Sequence, residues 1–176
     1  MTEYFVIPPI IGFAGLALAF IIYHIMLRHN HGDGLVKKIG DQIHLGATVF
    51  IYREYKILSI FALVLLGAIY ISPLGMNTAI AFLAGAVSSG TAGYLGMHAA
   101  TRANVRTTVA AHNHGRELAL AVAFYGGSVM GLCVASLGLV GLGTIYWLFG
   151  GDPETAHAIH GFGMGVQHHE RHAGLM

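Results

Sequence analysis

The sequence has few charged residues and a single cysteine. Charged side chains make up 10% of the 176 residues, whereas a soluble domain usually carries about a quarter. The nine lysines and arginines nearly balance the eight aspartates and glutamates, so the composition gives no basic field that would hold nucleic acid. One cysteine, Cys133, excludes a disulfide scaffold and a thiolate zinc cluster. Hydrophobic residues make up 55%, which excludes disorder and leaves a membrane protein.

Charged residues are absent from three long stretches of the chain. These stretches cover Tyr4–Leu27, Ile57–Thr101 and Leu118–Gly151, and each exceeds the roughly 20 residues that cross a bilayer core. The second is long enough for two spans, and the segment SPLG (72–75) interrupts it because proline lacks an amide donor and glycine favours a turn. We therefore predict an all-α, polytopic transmembrane helix bundle with four spans, at about 4–28, 43–71, 76–107 and 116–150.

The end of the chain differs from the spans in composition. We predict a four-helix transmembrane region over residues 1–155 and a divergent, His-rich tail over residues 156–176. The apolar segment 156–166 has only about half the length of a span. It therefore predicts an incomplete fifth helix that lies at the outer surface or is disordered and does not cross the membrane.

Basic residues gather on one side of the predicted bundle. They follow the first span, begin the second, or flank the connection between the third and fourth; they are Arg28, Lys37, Lys38, Arg53, Lys56, Arg102, Arg106 and Arg116. The opposite side carries Glu3, the uncharged turn at Pro73, Asp152 and Glu154. The positive-inside rule predicts a multi-pass protein of the cell (inner) membrane with an external N-terminus and cytoplasmic basic loops. The acidic start does not fit a cleaved signal peptide, so we expect the first span to be retained.

Small residues recur at helical spacing in the third and fourth predicted helices. Gly85, Ser89 and Gly93 follow one another every four residues, and Gly127 and Gly131 repeat the spacing in the fourth helix, where Gly138 continues the same face. Small residues at this spacing let two helix backbones approach closely in lipid. Two interpretations stay open, which are packing within this chain and a dedicated interface with another subunit.

Three charges lie close to membrane depth in the second helix. Arg53 and Lys56 are three residues apart and share a face, and Glu54 can neutralise only one of them directly. Charges inside a membrane are costly and often mark a functional site. The alternative is that these side chains extend to the cytoplasmic boundary or form a fixed structural pair.

Three segments of the chain resemble a known family. They are GATVFIYREYK (46–56), AFLAGAVSSGTAGYLGMHAATRANVRTTVAA (81–111) and AVAFYGGSVMGLCVASLGLVGL (121–142), and together they resemble the N-terminal part of a membrane-integral pyrophosphatase, over roughly residues 43–165. That family couples pyrophosphate hydrolysis to the pumping of protons or sodium ions. The resemblance implies a structural role for the motif residues Arg53, Glu54, Tyr55, Lys56, Gly85, Ser89, Gly93, Tyr94, Gly96, Met97, Asn104, Arg106, Gly127 and Gly131.

The chain departs from the family pattern after its fourth helix. GFGMG (161–165) matches the start of the family's fifth helix, but VQHHERHAGLM (166–176) replaces the Arg, the Gly-Gly-Gly run and the Lys-x-x-Asp-x-x-x-Asp pattern that follow in the family. Pyrophosphate hydrolysis needs several carboxylates for Mg²⁺ and cations for phosphate. We therefore expect no catalytic or cofactor-binding residue here and no hydrolysis by this chain alone.

The resemblance also implies partners for the chain. Mg²⁺ with pyrophosphate would belong to the complete family protein, which the resemblance implies to be a homodimer in the lipid bilayer. The remaining helices of the pump would lie in the same or a separate chain, and this sequence would be either a truncated or frame-shifted product or a true short protein. Whether the pumped ion is H⁺ or Na⁺ stays open.

The histidines allow an alternative function. His168, His169 and His172 lie close together in the tail, and neutral imidazoles bind transition metals, although a stable site needs three or four ligands held in a fixed geometry. The chain would then be a small stand-alone membrane protein with a metal-binding tail. A haem held between His24 and His98 is a further alternative, without the attachment motif of c-type cytochromes.

Overall fold

The described part of the protein is built from helices. The structure is a computed structural model, and it describes residues 6–149 and 159–166. Four long helices follow one another: α1 (Ile7–Leu27), α2 (Gly34–Ile71), α3 (Gly75–His114) and α4 (Arg116–Phe149). Residues 159–166 are also helical and are called α5. Each of the four long helices is long and apolar enough to cross a membrane, so the predicted all-α class with four span-length helices is confirmed.

Glycines with positive φ separate the long helices. Gly32 and Gly34 precede or begin α2 with φ of 76° and 56°, Gly75 begins α3 with φ of 77°, and Gly115 lies between α3 and α4 with φ of 82°. A residue with a Cβ atom rarely adopts this conformation, whereas glycine adopts it at little cost. The predicted break at Pro73 is observed as the turn between α2 and α3.

Two helices are longer than their predicted spans. α2 begins at Gly34, not near residue 43, and α3 continues to His114, not to residue 107. The prediction followed the apolar residues that lie in hydrocarbon, whereas a helix continues into water until a residue breaks it. The polar start of α2 contains no proline, and Gly115 is the first residue after Gly75 that leaves the helical conformation.

The chain divides into two compact units that share the long helices. The first unit comprises the described residues of Met1–Ala14, Glu54–Thr91 and Ala135–Met176, and the second comprises Gly15–Arg53 and Ala92–Val134. Each unit contains parts of α1, α2, α3 and α4, and α5 belongs to the first. Each has its own buried apolar clusters.

In the first unit, α1 and α4 approach each other at glycines. A Cβ atom on Gly12 would lie 2.6 Å from Val140 Cγ2 and 2.7 Å from the Ser136 carbonyl oxygen. A Cβ atom on Gly143 would lie 2.6 Å from Pro9 Cδ. Real Cβ atoms do not come this close to other heavy atoms, so both contacts require the absence of a side chain. The two helices run antiparallel here, since higher residue numbers in α1 meet lower numbers in α4.

Helix α5 packs against α3 in the same unit. Cβ atoms on Gly161 and Gly165 would collide with the backbone carbonyls of Thr78 and Phe82, and a Cβ atom on Gly85 would collide with the carbonyl of Phe162. Phe162 is buried in a cluster with Ala81 and Ile145 of α3 and α4. Residues 159–166 are therefore ordered and not disordered, while their predicted location at the outer side of the membrane stays a prediction. Two glycines four residues apart present a smooth helix face that fits closely against α3.

One side-chain hydrogen bond joins α2 to α3 in the first unit. The Tyr55 hydroxyl donates to the Gly90 carbonyl oxygen at 2.6 Å, and a Cβ atom on Gly90 would lie 3.9 Å from Tyr55 Cε2. Gly90 thus leaves room for the tyrosine ring. Buried Ile69, Ala79 and Phe82 form the apolar cluster between the same two helices.

The second unit has two apolar clusters between α1, α3 and α4. One contains Met26, Ala103, Ala110, Ala119 and Val122, and the other contains Ala19, Ala99, Val129 and Cys133. α4 approaches α3 so closely at Gly126 that a Cβ atom there would collide with Ala103 Cβ. A Cβ atom on Gly40 would lie 2.5 Å from Val105 Cγ2, and one on Gly96 would lie 2.7 Å from Met130 Cγ. Small residues therefore set the spacing of α2, α3 and α4.

The contact between α5 and α3 predicts opposite effects at two neighbouring glycines. We expect Gly165→Ala to lower the free energy of unfolding by ~1–3 kcal/mol, because the new methyl meets the backbone of α3. Gly163→Ala is the matched control, since a Cβ atom at Gly163 would have open space around it and alanine has the higher helix propensity by about 0.8–1.0 kcal/mol. Thermal unfolding of the purified chain in detergent measures both. Equal midpoints for the two variants would contradict the observed packing.

The bond between Tyr55 and Gly90 predicts a small loss of stability in Tyr55→Phe. Removing the hydroxyl should cost about 0.5–1.5 kcal/mol, which is the usual net contribution of one hydrogen bond. Tyr52→Phe serves as the control, because Tyr52 lies on the same helix with 75% of its surface exposed. Chemical or thermal unfolding in the same detergent compares the variants. A loss in Tyr52→Phe as large as that in Tyr55→Phe would show that the bond contributes nothing specific.

Candidate functional site: motif residues of the second, third and fourth helices

The charged motif on α2 contacts α3 through its tyrosine. Tyr55 bonds to α3, whereas Arg53 and Lys56 are exposed and Glu54 is partly buried. Within the residues that the structure describes, no ion pair joins Glu54 to Lys56 or involves Arg53. The proposed fixed pair is thus not observed there.

The small motif residues divide into packed and open positions. Gly85 and Gly96 are buried and meet Phe162 and Met130, and Ser89 and Gly93 are partly buried on the same helix. Gly127 and Gly131 of α4 have open space where a Cβ atom would stand, as does Gly138. Packing of this row within the chain is therefore not observed among the described residues, and its interpretation as an interface with another subunit stays a prediction. The glycines of α4 that do pack are Gly126, Gly141 and Gly143.

The remaining motif residues lie on α3 with different surroundings. Tyr94 is about half exposed, and its ring stacks near the His98 ring with 6.2 Å between centroids. Met97 is partly buried, and its backbone carbonyl accepts a hydrogen bond from the Thr101 hydroxyl at 3.0 Å. Asn104 is exposed.

A histidine pair joins α2 and α3 in the second unit. His44 Nδ1 lies 2.9 Å from the Thr101 hydroxyl oxygen, and the centroids of the His44 and His98 rings are 4.9 Å apart with the rings nearly perpendicular. His44 and Thr101 are not among the motif residues that were predicted to have a structural role. The sequence did contain one indication of this pair. His44 lies at the start of the second predicted span and His98 lies toward the end of the third, and both of these ends are predicted to be cytoplasmic.

The structure places the two proposed haem ligands in different surroundings. His24 is exposed, its Nδ1 lies 2.9 Å from the Phe20 carbonyl oxygen of the same helix, and its ring lies against Phe20 with 4.2 Å between centroids. His98 instead contacts His44. His168, His169 and His172 lie outside the described residues. Within the described ranges, no group of three or more His, Cys, Asp or Glu side chains is placed to hold a metal ion.

Arg106 is the buried cation of the second unit. Its relative exposure is 9%, and its Nη1 donates to the Arg102 carbonyl oxygen at 3.0 Å. The Nε atom is buried without a hydrogen-bond acceptor in the described structure. Unpaired buried cations are costly, because the charge loses its hydration. The resemblance implied only a structural role for Arg106, and its burial could not be read from the sequence.

A cavity of about 390 Å³ lies beside His98 in the second unit. Its walls come from α1, α3 and α4 and are mainly apolar, with Tyr23, Tyr94 and His98 as the polar members. Cys133 also lines it and is a free, buried thiol. The side chains that line this cavity can contact an apolar ligand, but none of them is a carboxylate that could bind a divalent cation.

Comparisons with known proteins agree with the motifs. The family model described as "Inorganic H+ pyrophosphatase" matches residues 13–170. A K(+)-insensitive pyrophosphate-energized proton pump of Methanosarcina mazei is 37% identical over 90% of this chain and 23% of its own length. A putative K(+)-stimulated pyrophosphate-energized sodium pump of Clostridium tetani is 40% identical over 94% of this chain and 24% of its own length. A K(+)-stimulated pyrophosphate-energized sodium pump of Thermotoga maritima is 40% identical over 84% and 20%.

These matches cover nearly the whole chain but only part of each relative. The chain spans about a quarter of the length of the curated relatives that it matches. The matched range includes all of α2, α3, α4 and α5, so the likeness extends across the fold and does not rest on a single motif. The chain belongs to the inorganic H⁺ pyrophosphatase family.

Proposed function

We propose that this chain forms the N-terminal helices of a pyrophosphate-energised ion pump and supports a catalytic core made by the remaining part of that pump. The observation that carries the proposal is the family match over residues 13–170 together with the coverage of about a quarter of each relative. The relatives are named as proton pumps and as sodium pumps. We propose pyrophosphate-driven transport of one of these two ions for the whole assembly.

The contacts of the motif residues support a structural role. Tyr55 fixes α2 to α3, Gly85 admits α5, and Gly96 admits Met130 of α4. Each of these residues meets another helix of the same chain. We infer that these motif residues set the spacing of helices, which in lipid depends on small residues and on occasional hydrogen bonds.

The acidic side chains of the described residues are few and widely separated in the sequence, which supports a site for magnesium pyrophosphate elsewhere in the pump. Mg²⁺ is usually held by one or two carboxylates together with substrate phosphates, and the acidic side chains of the described residues are Asp33, Asp41, Glu54 and Glu117. They form no cluster of three or more metal-ligating side chains. We therefore propose that the part of the pump beyond these helices binds Mg²⁺ and pyrophosphate, and that this chain alone does not hydrolyse pyrophosphate.

The open face of α4 supports the proposal of further helical partners. Gly127 and Gly131 are exposed and have open space around the position of a Cβ atom. Small residues on a lipid-facing surface allow another helix to approach closely. We propose that helices of the remaining pump cover this face, and that the assembled pump is a homodimer in the cell membrane.

The distribution of basic residues supports an external N-terminus. We expect Lys37→Cys, after α1, to react with a membrane-impermeant maleimide only in inside-out vesicles, and Leu74→Cys, between α2 and α3, to react only from outside intact cells. The physical reason is the retention of lysine and arginine on the cytoplasmic side. Both variants use a Cys133→Ala background, and both positions are exposed. Reaction of the two positions from the same side would exclude the proposed topology.

A hydrolysis assay tests the division of labour between these helices and the remaining pump. We expect the purified chain to release no phosphate from pyrophosphate with Mg²⁺, and a chimera of the Methanosarcina mazei pump that carries residues 34–149 of this chain to retain hydrolysis. Gly127→Leu should leave the unfolding of the chain alone unchanged but reduce the activity of the chimera, because the face of α4 is open only in the chain alone. Phosphate release by the isolated chain would contradict the proposal. Full activity of the Gly127→Leu chimera would contradict the proposal that helices of the remaining pump cover this face of α4.

A further inference from the structure

Arg106 lies on the face of α3 that packs into the second unit. Ala103 and Ala110 are three residues before it and four residues after it, and both are buried in the cluster that Met26 of α1 and Val122 of α4 complete. Residues at these spacings share one face of a helix. The guanidinium is therefore held among α1, α3 and α4, which agrees with its 9% exposure.

The hydrogen bonds of Arg106 leave one edge of the guanidinium without an acceptor. Nη1 donates along the helix to the Arg102 carbonyl oxygen at 3.0 Å. Nε, on the other side of the planar group, is buried and has no acceptor in the described structure. A guanidinium binds planar or tetrahedral oxyanions best through two parallel N–H groups, and its Nε edge is one such pair.

The described elements packed around Arg106 place no carboxylate against it. Asp33 and Asp41, which neighbour the contacts of Gly32 and Gly40 with α3, are exposed and form no ion pair with Arg106 among the described residues. α1 and α3 contain no aspartate or glutamate, and α4 contains only Glu117, which is exposed in its first turn. Within the described residues, Arg106 forms no ion pair. Arg102, one helical turn away on the same helix, adds a second positive charge, and like charges at this spacing are unfavourable unless an anion lies between or beside them.

The position of the two arginines in the sequence indicates which anion is near. Arg102 and Arg106 are the first charged residues after the uncharged run Ile57–Thr101, so they lie where α3 leaves the hydrocarbon layer. At this depth the abundant oxyanions are lipid phosphates, and basic residues beside the membrane attract acidic lipids. Soluble phosphate and pyrophosphate carry the same oxygen chemistry.

We propose that Arg106 and Arg102 bind a phosphate-type oxyanion at the end of the third membrane span, with Arg106 as the buried anchor and Arg102 as the exposed second arm. The ligand binds beside the Arg106 guanidinium, whose Nε has no acceptor in the described structure. Its charge compensates the cation that the helix packing buries. This site is separate from the binding of magnesium pyrophosphate by the remaining pump, since it needs only residues of this chain.

The test uses the purified full chain in a non-ionic detergent. Phosphatidylglycerol, phosphatidylcholine and inorganic phosphate are titrated separately, and the thermal unfolding midpoint and the bound mass in native mass spectrometry are recorded. We expect a saturable rise in the midpoint and one bound molecule with phosphatidylglycerol if the source is a lipid headgroup, or with inorganic phosphate if the source is soluble. Phosphatidylcholine, whose phosphate is already paired with choline, should act more weakly in either case.

Variants of the two arginines separate the site from general attraction of anions. Arg106→Gln should abolish the saturable response, and Arg106→Lys should weaken binding about tenfold because lysine lacks the planar pair of donors. Arg116→Gln is the matched control, since Arg116 is exposed at the start of α4. Should Arg106→Gln fail to fold, Arg102→Gln at an exposed position still tests the second arm and should also weaken binding.

Two results would overturn the proposal. One is the absence of a saturable response of the wild-type chain to phosphatidylglycerol and to inorganic phosphate, which would assign the partner of Arg106 to a carboxylate elsewhere in the pump. The other is an equal loss of response in Arg116→Gln and Arg106→Gln, which would show attraction by overall charge only. Neither result depends on pyrophosphate hydrolysis, so the family role of the chain is tested independently.

Discussion

The fold depends on the close approach of helix backbones at residues without bulky side chains. In lipid, apolar side chains gain nothing by leaving the solvent, because the acyl chains around them are also apolar. The helices are held by dispersion contacts, which require short distances between many atoms. Gly12 and Gly143 provide these distances between α1 and α4, and Gly126 provides them between α3 and α4. The polar contacts described above are added to a framework that these glycines set.

The helices themselves could be predicted from the sequence because hydrocarbon allows few alternatives. A long run without charge must satisfy its own backbone hydrogen bonds, and in a single segment only a helix does so. Hydropathy could not predict the extra turns of α2 before residue 43, because those turns lie outside the apolar run. The start of α2 at Gly34 depends on backbone conformation, which the pattern of apolar residues does not reveal.

The sequence predicted the type of packing residue on α4 but not the members. Gly126 and Gly127 are adjacent, so they face directions about 100° apart on the helix. The four-residue spacing favoured Gly127 and Gly131, whereas Gly126 meets Ala103. The spacing of residues within one helix identifies a face made of small side chains. Which of two such faces is covered depends on how the neighbouring helices pack. The pair His44 and Thr101 was missed for the same reason, since it requires the alignment of α2 with α3.

The single residue between α3 and α4 fixes the phase of one helix relative to the other. Gly115 is the whole connection, and its carbonyl already accepts the Ala119 amide at 3.4 Å to start the new helix. The connection is too short to accommodate an inserted residue without moving α4. An insertion would rotate α4 by about 100° about its axis and shift it by roughly 1.5 Å along that axis. Tyr125 would then stand where Gly126 now meets Ala103, and a phenol ring does not fit into that space. The one-residue length of this connection sets how α4 packs against α3, so it is constrained as tightly as the identity of any buried residue.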